Sequence, residues 1–263
     1  MSVDTSRHTL PCLMYHEITS PDSTTYFGVS GTRFAAQLKR LDDLGLCGRS
    51  LEDALRVPER AVALTFDDGY ASHYSLAFPE LQRRQMTATF FVPTGWVGKP
   101  NHVTWGQLRE MAAAGMSVQS HTVSHPFLSE LDPEAVRREL GDSKRRLDEE
   151  LDQETTTLAL PGGDFPRRWR VQDFIACGYW WIATSRWGPN HLRSDSDRSA
   201  LMLRRYTVRG ATSAHRFDQL LLGASSALSP EGARLMILNQ IRSLLGAQRY
   251  AAWRTRLLRY RRR

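Results

Sequence analysis

No stretch of about 18 uncharged apolar residues occurs anywhere in the chain, so no segment reads as a membrane-spanning helix. The first residues, Met1-Ser2-Val3-Asp4-Thr5-Ser6-Arg7-His8-Thr9-Leu10-Pro11, lack the apolar core of an export signal, and secretion is not indicated. Cysteine is scarce and odd in number: Cys12, Cys47 and Cys177 are widely spaced in apolar-looking segments. They read as reduced, buried thiols of a cytoplasmic protein, not as a disulfide framework. Internal repeats, low-complexity linkers and zinc-finger, RNP-like or helix-turn-helix patterns are all missing. Acidic residues are absent from 249–263, which carries seven arginines, so this tail alone supplies the net charge of +7. A near-neutral body with a basic end does not have the charge distribution of a nucleic-acid-binding domain.

What remains is an ordinary globular composition, 41% hydrophobic and 24% charged over 263 residues, enough for one large domain or two small ones. Apolar runs suited to buried strands lie at 10–15, 61–66, 87–92, 116–120, 156–160, 179–183 and 201–208. Between them the spacing predicts helices over 32–44, 74–84, 104–114, 133–151, 168–177 and 213–224. Asp132 before Pro133 makes an N-cap followed by proline at the first helical position. Gly45, Gly115 and Gly178 stand where a left-handed residue closes a helix. Such alternation predicts a mostly parallel sheet with helices outside it, and seven strands in one unit favour a barrel, with its site at the C-terminal strand ends. The 19–31 stretch, rich in Ser, Thr, Pro and Gly, is a loop placed to lie over one rim.

The chemistry concentrates at those strand ends. One apolar run ends in Asp67-Asp68-Gly69-Tyr70, and another leads into His121-Thr122-Val123-Ser124-His125-Pro126. An aspartate and two histidines give a divalent metal three protein ligands and an open position for water, a catalytic arrangement since structural zinc sites are usually closed by four. Asp67 and Asp68 point to opposite sides if the strand continues through them. One can therefore meet the metal while the other acts as base on the attacking water. His16 ends the first strand, in Leu13-Met14-Tyr15-His16, and should share the rim with the metal site. Amide hydrolysis needs an acid to protonate the leaving amine, which gives His16 a task.

Thr65-Phe66-Asp67-Asp68-Gly69 followed by His121-x-x-x-His125 resembles the first two motifs of the polysaccharide deacetylases, the NodB-homology or family 4 carbohydrate esterases. The resemblance covers roughly residues 10 to 240. It implies a distorted (β/α)7 barrel in which Asp67 is the base and Asp68, His121 and His125 hold the metal. Zinc is the first expectation for that ion, although cobalt, nickel and manganese accept the same ligands. The family usually takes its acid from a C-terminal Leu-x-x-His; Leu13-x-x-His16 is similar to a permuted branch in which the first strand supplies it. His215 is the C-terminal rival. The family's third motif, Arg-x-Pro-x-Gly, is met at Pro161 and Gly163, but Ala159 stands at the arginine, which in the family pairs with the base. The backbone N–H at Tyr70 is where the family places an oxyanion donor.

Trp96, Trp105 and Trp187 are candidates for stacking on sugar rings. The expected organisation is a tail (1–9), one deacetylase-like domain (10–240) and a basic amphipathic helical extension (241–263). That extension suits either an anionic membrane surface or packing on the barrel. The expected activity is hydrolysis of an N-acetyl group on an amino sugar in a glycolipid, oligosaccharide or polysaccharide precursor, in the cytoplasm or at the inner face of the membrane. Two alternatives stay open: another non-peptide C–N bond, such as a formamide or cyclic imide, and a module that binds metal or carbohydrate without cutting. Nothing in the sequence fixes the oligomeric state.

Overall fold

The structure, a computed structural model, describes residues 7–20, 25–193 and 201–222. The basic extension at 241–263 lies outside them, as does the membrane contact proposed for it. No helix among the described residues is long and apolar enough to cross a membrane.

Among the described residues, thirteen strands and seven α-helices follow in chain order. The strands are β1 Arg7–Leu10, β2 Cys12–Tyr15, β3 Ile18–Thr19, β4 Val29–Ser30, β5 Cys47–Arg49, β6 Ala61–Phe66, β7 Thr89–Val92, β8 Ser117–Ser120, β9 Thr157–Ala159, β10 Trp181–Ala183, β11 Asn190–Arg193, β12 Leu201–Leu203 and β13 Tyr206–Thr207. The helices are α1 Gly31–Asp43, α2 Leu51–Arg56, α3 Phe78–Arg83, α4 Trp105–Ala113, α5 Pro133–Leu151, α6 Val171–Ala176 and α7 Ala214–Leu221. The main sheet runs β12-β10-β9-β8-β7-β6-β2-β13, with β5 against the start of β6, and its pairings are parallel. β12 and β13 are pieces of one segment, the first paired with β10 and the second with β2. That segment joins the two ends of the sheet order, and counted once it gives the seven staves expected of the curled sheet.

The helix punctuation explains the element boundaries. Asp132 accepts the Ala135 N–H at 2.8 Å and starts α5. Gly45, Gly115 and Gly178 close α1, α4 and α6 at φ +61°, +87° and +86°. Three expectations need correction. The 201–208 run is not one strand but breaks at Arg204-Arg205, where Arg205 turns its side chain inward instead of continuing the ladder. Residues 7–9 pair with β11 and do not belong to a tail. Cys47 is exposed at a strand start, whereas Cys12 is buried and Cys177 half-buried.

Period-two alternation decides which side chains meet. On β6, Val62, Leu64 and Phe66 pack outward with Leu13 and Tyr15 of β2 against the helices. Ala61 and Ala63 face inward, with Cys12, Phe91, Ala159, Ala183 and Leu203 from other strands. α2 supplies Leu51 and Ala54 to this inner cluster. It also brings in the buried Glu52 carboxylate, which accepts hydrogen bonds from Thr89 at 3.0 Å and from Thr157. Small residues inside let the sheet curl tightly. The same parity carries Thr65, Asp67, His16 and Arg205 to the inner side at the C-terminal end.

Candidate metal and catalytic site

Asp67 follows the last residue of β6 and is held there by its N–H to the Tyr15 carbonyl at 3.0 Å. Its carboxylate is buried and takes both arms of Arg205, Nη1 to Oδ1 at 2.6 Å and Nη2 to Oδ2 at 2.8 Å. Arg205 is itself fully buried; Nε donates to the Thr184 carbonyl at 3.0 Å and Nη1 also reaches Thr65 Oγ1 at 3.2 Å. Its guanidinium carbon lies 5.3 Å from the Phe91 ring centre. A planar fork matched to a carboxylate is the arrangement that arginine, and not lysine, can make. Ala159 therefore leaves no gap: the guanidinium expected from the third motif arrives from the segment between β12 and β13.

Asp68 turns the other way, in a left-handed conformation at φ +77°. Its Oδ1 lies 3.4 Å from His121 Nε2 and 3.3 Å from His125 Nε2, and the three ligand atoms all fall within 4.8 Å of one another. His121 Nδ1 is bonded to the Ala159 carbonyl at 2.8 Å, which fixes the ring and directs Nε2 at the aspartate. A carboxylate oxygen and two imidazole nitrogens converging with the outer nitrogen already engaged fit a divalent ion of the zinc type. These residues were brought together as the sequence predicts.

The loop carrying the histidines is strained and braced. Thr122 and His125 sit at φ +69° and +60°, and for a β-branched residue such as Thr122 this is a costly conformation. Glu139 of α5 holds it: one carboxylate oxygen accepts the N–H groups of Val123 at 2.8 Å and Ser124 at 2.9 Å, the other the Ser124 hydroxyl at 2.7 Å. Thr122 Oγ1 accepts the His125 N–H at 3.0 Å.

Electrostatics separate the two aspartates' tasks. Burial alone would push the Asp67 carboxyl up, but Arg205 and then His121 hold it below the usual carboxylate range. Asp68 is likewise opposed by burial, and its hydrogen bond to His121 and the nearby imidazoles hold it well below. Burial pushes His125 down to about 4, helped by His121, so this ring is neutral and able to ligate near pH 7. His121 loses to burial but gains more from the Asp68 hydrogen bond and the Asp67 charge, and ends above its ordinary value. Burial also lowers His16, against the pull of the Asp67 and Asp68 charges that lie close enough to act on it.

His16 is thus on the expected rim, while His215 is exposed on α7 beside Gln219. Tyr70 pairs with His102 in an isolated antiparallel bridge whose bonds, Ala71 N–H to Asn101 and Val103 N–H to Gly69, flank it and leave its own N–H out of the ladder. Pro161 is buried at the end of β9, and Gly163 is left-handed at φ +67°, where a Cβ would sit 2.7 Å from Ser185 Cβ. Trp96 lies at the rim with its ring 5.0 Å from that of His125. Trp105 packs between α4 and Arg146 of α5. Trp187 corrects its expectation as a sugar platform: it is 8% exposed, covered by Tyr206 at 5.0 Å and by Arg216. Sequence reasoning missed Arg205, Glu139 and His73; a charged residue inside an apolar run was the available signal for the first.

The family model described as polysaccharide deacetylase matches residues 54–180. The Bacillus subtilis protein YxkH, whose name provisionally makes it a polysaccharide deacetylase, is 36% identical over 163 residues, 59% of this chain and 57% of its own length. A poly-beta-1,6-N-acetyl-D-glucosamine N-deacetylase of Escherichia coli is 38% identical over 82 residues, 25% of this chain and 12% of its own. The chain thus spans 57% and 12% of the two curated relatives it matches here. Among solved structures, the Streptococcus pyogenes deacetylase PplD in complex with acetate superposes with a TM-score of 0.72 at 30% identity, over 82% of this chain and 99% of that one.

Proposed function

The chain belongs to the polysaccharide deacetylase family, and on that premise we propose that it removes the acetyl group from an N-acetylated amino sugar by metal-dependent hydrolysis. The observation that carries this reading is the side-by-side pair at the end of β6: one aspartate kept ionised by Arg205, the next converging with two histidines on a cation site.

Asp68, His121 and His125 would hold the ion, with zinc the first choice and cobalt, nickel or manganese chemically acceptable. A divalent cation there supplies Lewis acidity toward a carbonyl oxygen and lowers the pKa of water. The protein's own groups do the rest. Asp67, oriented by Arg205 with lone pairs still open on its carboxylate, takes the proton from the attacking water. The Tyr70 N–H, free of the ladder, would donate to the oxygen that gains charge as the carbonyl carbon becomes tetrahedral. His16 gives its proton to the departing amine, which otherwise leaves as a far stronger base.

The names of the relatives support the substrate class. The E. coli relative's name specifies β-1,6-linked N-acetylglucosamine, and a Rhizobium leguminosarum relative is named a chitooligosaccharide deacetylase. Trp96 beside His125 offers a flat apolar edge to a pyranose ring at the rim. Acetate release measured on short β-1,6- and β-1,4-linked N-acetylglucosamine oligomers tests the proposal. Release from either supports it and ranks the linkages; release only from formamides or cyclic imides overturns the substrate class.

A further inference from the structure

His121 and His16 are held in different ways. A working imidazole is usually oriented by a hydrogen bond at its second nitrogen. His121 has one, to the Ala159 carbonyl. His16 Nδ1 is buried with no hydrogen-bond partner, so no polar contact at that nitrogen sets the ring's angle. Packing does. The Phe27 ring lies parallel to the imidazole, 4.5 Å between centres and 20° between planes.

Phe27 is itself fixed. It stands between β3 and β4 in a loop closed by Thr25 Oγ1 donating to the Glu17 carboxylate at 3.0 Å, Gly28 N–H to Thr25 at 3.2 Å and Val29 N–H to Glu17 at 3.0 Å. Gly210 N–H ties the same loop to the turn after β13 through the Gly28 carbonyl at 2.8 Å, an approach a Cβ on Gly210 would block. Arg209, from that turn, lies 5.6 Å from the Phe27 ring centre and donates to the Tyr26 hydroxyl at 2.9 Å. From another side, buried His73 in the π-helical turn His73–Ala77 sets its Nε2 2.6 Å from the His16 carbonyl oxygen and fixes the backbone. Single π-turns of this kind recur at functional sites.

We propose that Phe27 is a positioning residue for His16: its ring face, in place of a hydrogen bond, holds the imidazole at the angle from which it protonates the leaving amine, on a backbone anchored by His73. The step is a single proton transfer, His16 N–H to the amine nitrogen as the C–N bond breaks, and Phe27 takes no part in the bonds. This rests on the reading of His16 as the acid given above.

The test compares Phe27→Leu, which keeps apolar volume without a flat face, and Phe27→Tyr, which keeps the face, each alone and in a His16→Ala background. Phe27→Leu lowers kcat by about ten- to a hundredfold with KM little changed, the size expected for a mispositioned group; Phe27→Tyr restores most of it. Combined with His16→Ala, Phe27→Leu adds no further loss. In the metal-loaded protein, long-range nitrogen–proton NMR of His16 shows one tautomer in the wild type and an averaged ring in Phe27→Leu, while His121 is unmoved. Full turnover and an unchanged His16 spectrum in Phe27→Leu overturn the proposal. Loss of turnover that is fully additive with His16→Ala also overturns it. An active His16→Ala protein would instead remove the acid assignment, and the NMR comparison would still decide whether Phe27 holds the ring.

Discussion

Arg205 grips both oxygens of Asp67 from a different strand segment, at 2.6 and 2.8 Å, with neither group open to solvent beyond a few per cent. On the proposed reading, this pair separates the base from the metal ligand next to it in sequence. A bidentate partner occupies both oxygens of Asp67, sets its plane and favours its charged form, while Asp68 is left to the histidines.

Arg205→Met should move the acid limb of kcat/KM to higher pH. In the proposed mechanism Asp67 works as the carboxylate, and Arg205 holds its pKa below the ordinary value against the opposing effect of burial. Removing the cation leaves burial unopposed on that side, the pKa rises, and the active form is lost at a higher pH than in the wild type. The same change strands a buried carboxylate, so stability at neutral pH should fall by about 3–5 kcal/mol. Adding Asp67→Asn to Arg205→Met should recover part of that loss. Equilibrium urea unfolding and a pH–rate profile check both statements, and an unshifted acid limb would contradict the first.

Asp67→Asn alone should keep the metal and lose turnover by about 10²- to 10⁴-fold, the usual worth of a positioned base. Calorimetric titration of the metal-free protein with zinc gives the first quantity and acetate release the second. Metal affinity falling in step with turnover would mean that Asp67 is a ligand.

Glu139→Gln should weaken metal binding by about 10- to 100-fold without touching a ligand. Its carboxylate gathers two N–H groups and a hydroxyl from the loop that keeps Thr122 and His125 in left-handed conformations. A neutral amide accepts less strongly at those donors, and the loop relaxes toward unstrained backbone. An unchanged zinc affinity would show that the brace is dispensable.

Gly163→Ala should destabilise the fold by about 1–3 kcal/mol. The residue is left-handed, and the added methyl would press on Ser185 Cβ at 2.7 Å. A urea midpoint unchanged from wild type would count against this packing.

Much of this was legible in the sequence because the signals are local. An apolar run ending in two aspartates fixes a strand end, and parity then sends Asp67 inward and Asp68 aside. His121 and His125 lie within one short loop, and Asp132, Gly45, Gly115 and Gly178 mark helix ends by backbone chemistry alone. Arg205 was not legible, since its partner is more than a hundred positions away and the 201–208 run read as one strand straight through Arg204-Arg205. The short β5 and α2 were missed for a related reason: three and six residues carry too little periodicity to register. Trp187 could not be told from a surface tryptophan until Tyr206 and Arg216 were seen to cover it.

The central claim is that one site combines a cation held by Asp68, His121 and His125 with a base, Asp67, to cut an N-acetyl amide. The most direct measurement is acetate release from N-acetylglucosamine oligomers by metal-stripped protein before and after addition of zinc, cobalt or nickel, alongside His121→Ala and Asp67→Asn. The account predicts no acetate without metal, restored release with it, none from His121→Ala, and release lowered by about 10²- to 10⁴-fold in Asp67→Asn under any metal. Acetate released equally by stripped protein, or by Asp67→Asn at the wild-type rate, would contradict it.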